Sequence, residues 1–351
     1  MSLPTRFIEI HQDEERALEE DIWSNEYVKA YLWNSGMREI VKLRYRGGHT
    51  REYPKRSYDI LHGTQMFHLN AEYDDPSMIR NALSFQFFEW IGVPCPQTKH
   101  CRLVINGVNR GVYLEIEAVN RQFFAKRGIP MESLVFAVNN HANFSLFHYK
   151  TGKRKQSLFK GYELEIGKEA DGRKLSRFVY KLNTLKGKEL LSFLSRQVDI
   201  ENYLRWLAGA VFTGNYDGFD QNYALYRHKT RNMYRIIPWD YEGTWGRNCY
   251  GKQVESSLVR VTGYNQLTKK LLQFGSLRSR YKEILREILK ETFTVSKISP
   301  VIYKMYRQIS PYIYADYGRK WPLYVYENEP LVIQNYIQER RKLISRAILK
   351  L

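Results

Sequence analysis

Polar and apolar residues alternate along most of the first third of the chain. An alternation with a period of two predicts strands, and turns rich in glycine and asparagine separate one alternating run from the next. We therefore expect an antiparallel sheet built from hairpins. The predicted strands cover residues 7–11, 27–32, 38–46, 52–61, 101–105 and 111–116.

A different period predicts helices elsewhere. Apolar residues three or four positions apart indicate one helix after Asp13 and another over residues 75–91. Beyond about residue 173 the pattern is mainly helical, and isoleucines line one face of the last helix. We predict an α+β fold of two lobes, with an N-lobe rich in antiparallel sheet over residues 1–135 and a mainly helical C-lobe over residues 136–351.

The composition is that of a globular protein. Of the 351 residues, 43% are hydrophobic and 26% are charged, which excludes a mostly disordered chain. No run of roughly eighteen uncharged apolar residues is present in the sequence, so we predict no membrane-spanning helix. The N-terminal residues lack the apolar stretch of a secretory signal, so we expect no signal peptide.

The net charge is strongly positive. Fifty-five lysines and arginines oppose 37 aspartates and glutamates, which gives a formal charge of +18. Such a surplus attracts polyanions, and the 27 tyrosines, 17 phenylalanines and 7 tryptophans offer stacking surfaces for bases. Because the basic residues are spread along the chain and match no nucleic-acid reader motif, we do not expect nucleic acid as a partner. A polyanion-binding protein stays open as an alternative.

One segment has the spacing of a phosphate-transfer site. Asp217 and Asn222 follow a predicted helix, with four residues between them, and a predicted hairpin then ends at Asp240. Phosphoryl transfer from Mg-ATP needs a carboxylate that accepts the proton of the attacking hydroxyl, and a carboxamide and a second carboxylate that hold the metal. The order predicts Asp217 as the catalytic residue and Asn222 and Asp240 as ligands of Mg²⁺ or Mn²⁺. An Asx-turn and a surface turn are the structural alternative.

The N-lobe is expected to hold the phosphates of ATP. Arg46 precedes the Gly47-Gly48 turn, and Lys55 follows on the next predicted strand. Kinases bind phosphates with the amides of a glycine turn and a strand lysine. We therefore predict Arg46 and Lys55 as ATP-binding residues, with Glu89 of the 75–91 helix as the candidate ion-pair partner of Lys55. Arg56 is the alternative inward-facing cation, because neighbouring residues on a strand face opposite ways. An ordinary hairpin with solvated charges is the alternative.

Three further residues are predicted at the nucleotide. Arg80, on the 75–91 helix, is a second candidate for phosphate binding. Glu117 follows the second hairpin and is expected near the junction of the lobes. Trp245 lies shortly after Asp240, where its indole is expected to stack on adenine, and packing in the core is the alternative.

Five segments, taken in order, are more specific than any one short motif. They are Tyr45-Arg-Gly-Gly-His-Thr-Arg-Glu-Tyr-Pro-Lys-Arg-Ser-Tyr58, Asp74-Asp-Pro-Ser-Met-Ile-Arg-Asn81, Ile105-Asn-Gly-Val-Asn-Arg-Gly-Val-Tyr113, Gly214-Asn-Tyr-Asp-Gly-Phe-Asp-Gln-Asn222 and Ile237-Pro-Trp-Asp-Tyr-Glu-Gly-Thr-Trp-Gly246. Together they resemble the bacterial spore coat protein H (CotH) family, and the likeness runs from about residue 5 to residue 250.

The resemblance implies an atypical, kinase-like fold and a protein kinase that uses ATP and Mg²⁺ (or Mn²⁺) to phosphorylate serine in other spore coat proteins. It implies that Asp217 is catalytic, that Asp240 serves the metal, and that the partners are serine-rich coat proteins. It further implies synthesis in the cytoplasm of the sporulating mother cell and assembly into the spore coat. A non-catalytic kinase-like scaffold and an enzyme that transfers AMP instead of phosphate stay open as alternatives.

Overall fold

The computed structural model describes residues 2–34 and 36–351. Within these ranges no helix is both long enough and apolar enough to cross a membrane. The strands are β1 (Thr5–Ile10), β2 (Val28–Asn34), β3 (Met37–Arg46), β4 (Ser57–His62), β5 (Gln65–Asn70), β6 (Thr98–Ile105), β7 (Val108–Glu117), β8 (Met131–Ala137), β9 (Tyr162–Ile166), β10 (Tyr223–His228) and β11 (Met233–Pro238). The helices are α1 (Gln12–Glu20), α2 (Arg80–Trp90), α3 (Arg121–Lys126), α4 (Glu169–Thr184), α5 (Gly187–Gln197), α6 (Ile200–Thr213), α7 (Gln266–Leu272), α8 (Gly275–Glu291), α9 (Val295–Ile313) and α10 (Leu323–Lys350).

The fold is α+β, and the chain divides into two compact units. The boundary predicted near residue 135 follows this division only in part, because the chain passes more than once from one unit to the other. The first unit contains Met1–Ala82, Pro96–Phe123 and Pro300–Pro330, and the second contains Leu83–Cys95, Phe124–Ser299 and Leu331–Leu351.

A closed barrel of seven strands forms the first unit. The strand order is β1-β2-β3-β4-β5-β7-β6, and β6 returns to β1 in a parallel pairing that sets Phe7 beside Val104. The hairpins predicted from the sequence are confirmed. The purely antiparallel sheet that we expected is corrected by the β1–β6 pair. Alternation along a strand specifies which face is buried but not which distant strand lies beside it.

Inward-facing aliphatic residues fill the barrel. Leu43 of β3 and Ile60 of β4 are opposite each other in register, and both are fully buried. Truncating Leu43 to alanine would remove this contact and leave a cavity, at a cost of about 2–5 kcal/mol. The barrel interior therefore supplies the hydrophobic core of the first unit.

The strand predicted over residues 52–61 is shorter than expected. A short 3-10 helix covers His49–Glu52, and β4 begins only at Ser57, so Lys55 lies in the connection. The buried Arg51 side chain accounts for this turn, since its guanidinium donates to the Gly47 carbonyl at 2.9 Å and to the Ser24 carbonyl at 2.9 Å. These bonds satisfy carbonyl groups that a strand would pair with its neighbour.

The second unit combines helices with a four-stranded antiparallel sheet. Its strand order is β11-β10-β8-β9. Helix α6 is buried along most of its length, and the chain leaves it through a short loop into the β10–β11 hairpin. This order of helix, loop and hairpin is the one predicted for the catalytic segment.

Candidate functional site

The loop that carries Asp217 and Asn222 begins at a sharply defined helix end. Helix α6 ends at Thr213 and is capped by Gly214, whose φ of 74° is a left-handed value that glycine adopts without steric cost. A Cβ at this position would lie 2.3 Å from the Tyr336 hydroxyl, so no larger residue fits without movement. The helix end therefore sets where the loop starts.

Asn222 and Asp240 flank the open end of the β10–β11 hairpin. Tyr223 and Pro238 are paired there, and the Trp239 amide donates a hydrogen bond to the Asn222 carbonyl at 3.2 Å. Asn222 and Asp240 have φ values of 58° and 57°. Asparagine and aspartate adopt such left-handed values more readily than other residues with a Cβ, which suits the tight turns at both positions. The hairpin brings these two residues into one neighbourhood.

One contact of Asp217 and one of Asn215 connect this loop to its surroundings. The Cys249 thiol donates a hydrogen bond to the Asp217 carboxylate, and burial together with that bond raises the pKa of Cys249 to about 12. Such a thiol stays protonated at neutral pH and remains a donor. Two residues before Asp217, Asn215 Nδ2 donates to the Asp240 carbonyl at 3.2 Å. Gly243 allows the close approach of Cys249, whose amide nitrogen would lie 2.6 Å from a Cβ at Gly243.

Asp220 is an acidic residue of this loop to which the sequence pattern assigned no role. Burial raises the pKa of its carboxyl group to about 6, and the positive charge of Lys155 opposes the shift. Its Oδ1 atom has no hydrogen-bond partner among the residues described. Lys155 Nζ donates instead to the His141 carbonyl at 2.6 Å and to Asn143 Oδ1 at 2.9 Å. The sequence signal was a second aspartate three residues after Asp217.

The donor set at the hairpin fits a magnesium ion that is bound mainly through its substrate. Asn222 and Asp240 offer a carboxamide and a carboxylate, which are hard oxygen ligands. In the described part of the chain no group of three or more His, Cys, Asp or Glu side chains is suited to a metal. Two protein ligands suffice where phosphates and water complete the coordination, as is usual for Mg²⁺ at nucleotides.

Lys55, in the first unit, has a different partner from the one predicted. Its ammonium group is buried and lies 2.8 Å from Asp316 Oδ2 and 2.7 Å from the Val112 carbonyl. Burial lowers the pKa of Lys55, and the Asp316 carboxylate opposes that shift. Glu89 is exposed and accepts from Gln86 instead, so the predicted Lys55–Glu89 pair is wrong. The true partner lies 261 positions along the chain.

The two arginines predicted at phosphate differ in accessibility. Arg80 is fully buried between Asp75, at 2.6 Å, and Glu329, at 2.5 Å. Two carboxylates already balance its charge, so the prediction that Arg80 binds phosphate is wrong. Arg46 ends β3 and is partly exposed, with its Nε 3.8 Å from Asp59 Oδ1. That Arg46 binds a phosphate oxygen of ATP therefore stays a prediction.

Trp245 is a core residue and not a stacking platform. Its indole is fully buried, donates to the Ser84 hydroxyl at 2.9 Å, and stacks on Phe293 with ring centroids 5.7 Å apart. Because Phe87 packs against the ring edge-on, adenine has no free face to contact, and the prediction for Trp245 is wrong.

Glu117 ends β7, and its Oε2 accepts from the Gln97 amide at 3.2 Å.

Comparison with known proteins identifies the class. The sequence model of the family described as "CotH kinase protein" matches residues 43–344, which is most of the chain. The chain belongs to this family, and the resemblance inferred from the five segments is confirmed.

Curated relatives cover nearly the whole chain. "Inner spore coat protein H" of Bacillus subtilis (strain 168) is 38% identical over 98% of this chain and 97% of its own length. "Inner spore coat protein H-like protein" of the same organism is 27% identical over 85% of this chain and 87% of its own. A solved structure, the Helicobacter pylori proinflammatory kinase CtkA, is 9% identical and covers 93% of both chains. Its TM-score of 0.32 is too low to support an argument.

Proposed function

We propose that this protein is an Mg-ATP-dependent protein serine kinase that phosphorylates serine-rich spore coat proteins and so directs coat assembly. Family membership supports the kinase assignment, and the name of the 38% identical relative supports a place in the spore coat. The observation that carries the proposal is that Asn222 and Asp240 flank the open end of one hairpin and that Asn215, two residues before Asp217, donates to the Asp240 carbonyl. We further propose synthesis in the mother-cell cytoplasm.

Each of the three side chains has a defined part in the proposed reaction. The Asp217 carboxylate accepts the proton of the substrate serine hydroxyl, whose oxygen forms a bond to the γ-phosphorus of ATP while the bond to the ADP oxygen breaks. Asn222 and Asp240 would hold the Mg²⁺ or Mn²⁺ that neutralises charge on the phosphates. The Cys249 thiol orients the Asp217 carboxylate through its hydrogen bond.

The nucleotide-binding part of the proposal involves three residues of the first unit. Arg46 is proposed to contact a phosphate oxygen, and Glu117 to contact the nucleotide. Lys55 stays a candidate for phosphate binding, but its buried ammonium group is already paired with the Asp316 carboxylate. Its contribution to phosphate binding is therefore expected to be smaller than that of an exposed lysine.

Intact-mass analysis after incubation with ATP and a divalent ion tests the proposal. The wild-type protein is expected to add phosphate to itself or to serine-rich coat proteins, and Asp217→Ala is expected to abolish transfer with almost unchanged thermal unfolding. Asp13→Ala, at an exposed surface aspartate, is the matched control and should keep full transfer. Full transfer by Asp217→Ala would refute the assigned role of that residue.

The other readings predict different results in the same experiment. Addition of AMP instead of phosphate would replace the kinase with an AMP-transferring enzyme, which uses many of the same groups. No mass change on any coat protein, with either metal, would favour the non-catalytic scaffold. A polyanion-binding protein would instead show an affinity that falls steeply with salt and needs no ATP.

A further inference from the structure

The barrel of the first unit has a cavity at one end. Its volume is about 200 Å³, and it lies where β1, β3 and β6 finish and where β4 and β7 begin. Helix α1 contributes part of the lining. Barrel ends are frequent sites of small-molecule binding. The side chains that matter here are Tyr45, Tyr58, Tyr113, Glu15, Glu19 and Arg110.

Three tyrosines form a fixed wall of this cavity. The Tyr45 and Tyr58 rings are 5.4 Å apart, and the Tyr58 and Tyr113 rings are 6.3 Å apart. Tyr45 donates to Glu19 at 2.6 Å, and Tyr113 donates to the Arg56 carbonyl at 3.0 Å. Hydrogen bonds hold Tyr45 and Tyr113 in place, and Tyr58 packs between their rings, so little ordering cost falls on binding.

Most charges around the cavity are already matched. The Lys55 ammonium is paired with Asp316, and the Arg56 guanidinium is paired with the Glu19 carboxylate at 2.7 Å. In each of these two pairs the positive and negative charges cancel, so the pairs add little net charge to the cavity. A ligand therefore meets only the charges that remain.

Two opposite charges remain without an oppositely charged partner among the residues described. Arg110 is exposed at the start of β7 and makes no ion pair, while its field acts on Tyr58 and Tyr113. Glu15 is half-buried, and its carboxylate accepts only the neutral Asn106 amide at 3.1 Å. The Tyr58 hydroxyl likewise has no hydrogen-bond partner in the described part of the chain.

We propose that this cavity binds a small zwitterion, a molecule of amino-acid size with one carboxylate and one ammonium group. Arg110 and the Tyr58 hydroxyl would bind the carboxylate, and Glu15 would bind the ammonium group. The tyrosine wall would cover an apolar or aromatic side chain. A volume of about 200 Å³ corresponds to roughly seven water molecules, which suits a free amino acid. Lys55, which keeps a candidate role at the nucleotide, lines this cavity, whereas Asp217, Asn222 and Asp240 are not among its lining residues.

Calorimetric titration with three matched probes tests the proposal. L-phenylalanine carries both charges, 3-phenylpropanoate lacks the amine, and 2-phenylethylamine lacks the carboxylate. We expect saturable binding of L-phenylalanine, and a loss of about tenfold or more in affinity for each probe that lacks one charge. Equal binding of either single-charge probe, or no saturable binding of L-phenylalanine, overturns the proposal.

Charge-removing variants assign each end of the ligand. Arg110→Gln should weaken the binding of L-phenylalanine and 3-phenylpropanoate but leave the binding of 2-phenylethylamine unchanged. Glu15→Gln should weaken the binding of L-phenylalanine and 2-phenylethylamine but leave the binding of 3-phenylpropanoate unchanged. Arg177→Gln, an exposed arginine of α4, is the control and should change none of the three. All three residues lie at least partly in solvent, so thermal unfolding should be unaffected. Loss of binding in the Arg177 variant, or retention in both cavity variants, contradicts the assignment.

Discussion

The buried pair of Lys55 and Asp316 gives a sharp test of how the first unit is held together. The two groups are 5% and 2% exposed, and Asp316 Oδ2 also accepts the Val112 amide at 2.9 Å. Asp316→Asn keeps the shape and that hydrogen bond but leaves the Lys55 ammonium without its counter-charge. Breaking one side of a buried ion pair costs about 3–5 kcal/mol, so we expect a loss of that size in the free energy of unfolding.

A double-mutant cycle measured by urea unfolding isolates the pair. Lys55→Met should cost about as much as Asp316→Asn, because it leaves the carboxylate unpaired. The double variant should cost clearly less than the sum of the two, since neither charge is then buried alone. The exposed α4 pair of Arg173 and Glu169 is the control, and breaking it should cost less than about 1 kcal/mol.

Two results would refute this reasoning. One is a cost for Asp316→Asn as small as that of the exposed pair. The other is strict additivity of Lys55→Met and Asp316→Asn, because independent effects would mean that the two charges do not stabilise each other.

Three further predictions follow from buried groups. Burial, with the charge of Arg46, lowers the pKa of His68 to about 4, so between pH 6.5 and 4 the unfolded chain binds a proton that the folded chain does not. The free energy of unfolding should therefore fall by up to about 3 kcal/mol on acidification through this window. In urea unfolding, His68→Gln should make this dependence on pH less steep. Trp245→Phe should lower the free energy of unfolding by about 1–3 kcal/mol, because the Ser84 hydroxyl loses its donor, and an increase would contradict the core assignment. Gly209→Ala should lower the melting temperature, since the new Cβ would lie 2.1 Å from the Phe88 ring.

Local signals in the sequence predicted local structure. Alternation predicted the hairpins of the barrel, and the helix–loop–hairpin order around Asp217 and Asp240 is present in the structure. These features depend on neighbouring residues, whose pattern of burial repeats with the period of the element. The spacing from Asp217 to Asn222 is similarly a property of one loop. The family resemblance likewise rested on short contiguous segments.

Contacts between distant positions were beyond such signals. Nothing around Lys55 indicates that Asp316 will be its partner, because a carboxylate 261 positions away is placed by the course of the whole chain. The burial of Arg80 depends on Glu329 in the same way. Trp245 was misassigned for a different reason. An indole suits a stacking site and a core equally well, and only its neighbours decide between them.

The most direct test of the central claim is a crystal structure with Mg²⁺ and a non-hydrolysable ATP analogue. The claim predicts Asn222 Oδ1 and an Asp240 carboxylate oxygen at about 2.0–2.1 Å from the metal, with the metal on the phosphates. It also predicts the Asp217 carboxylate close to the γ-phosphate and not bound to the metal. A nucleotide bound away from the β10–β11 hairpin, or a metal without either ligand, would contradict it.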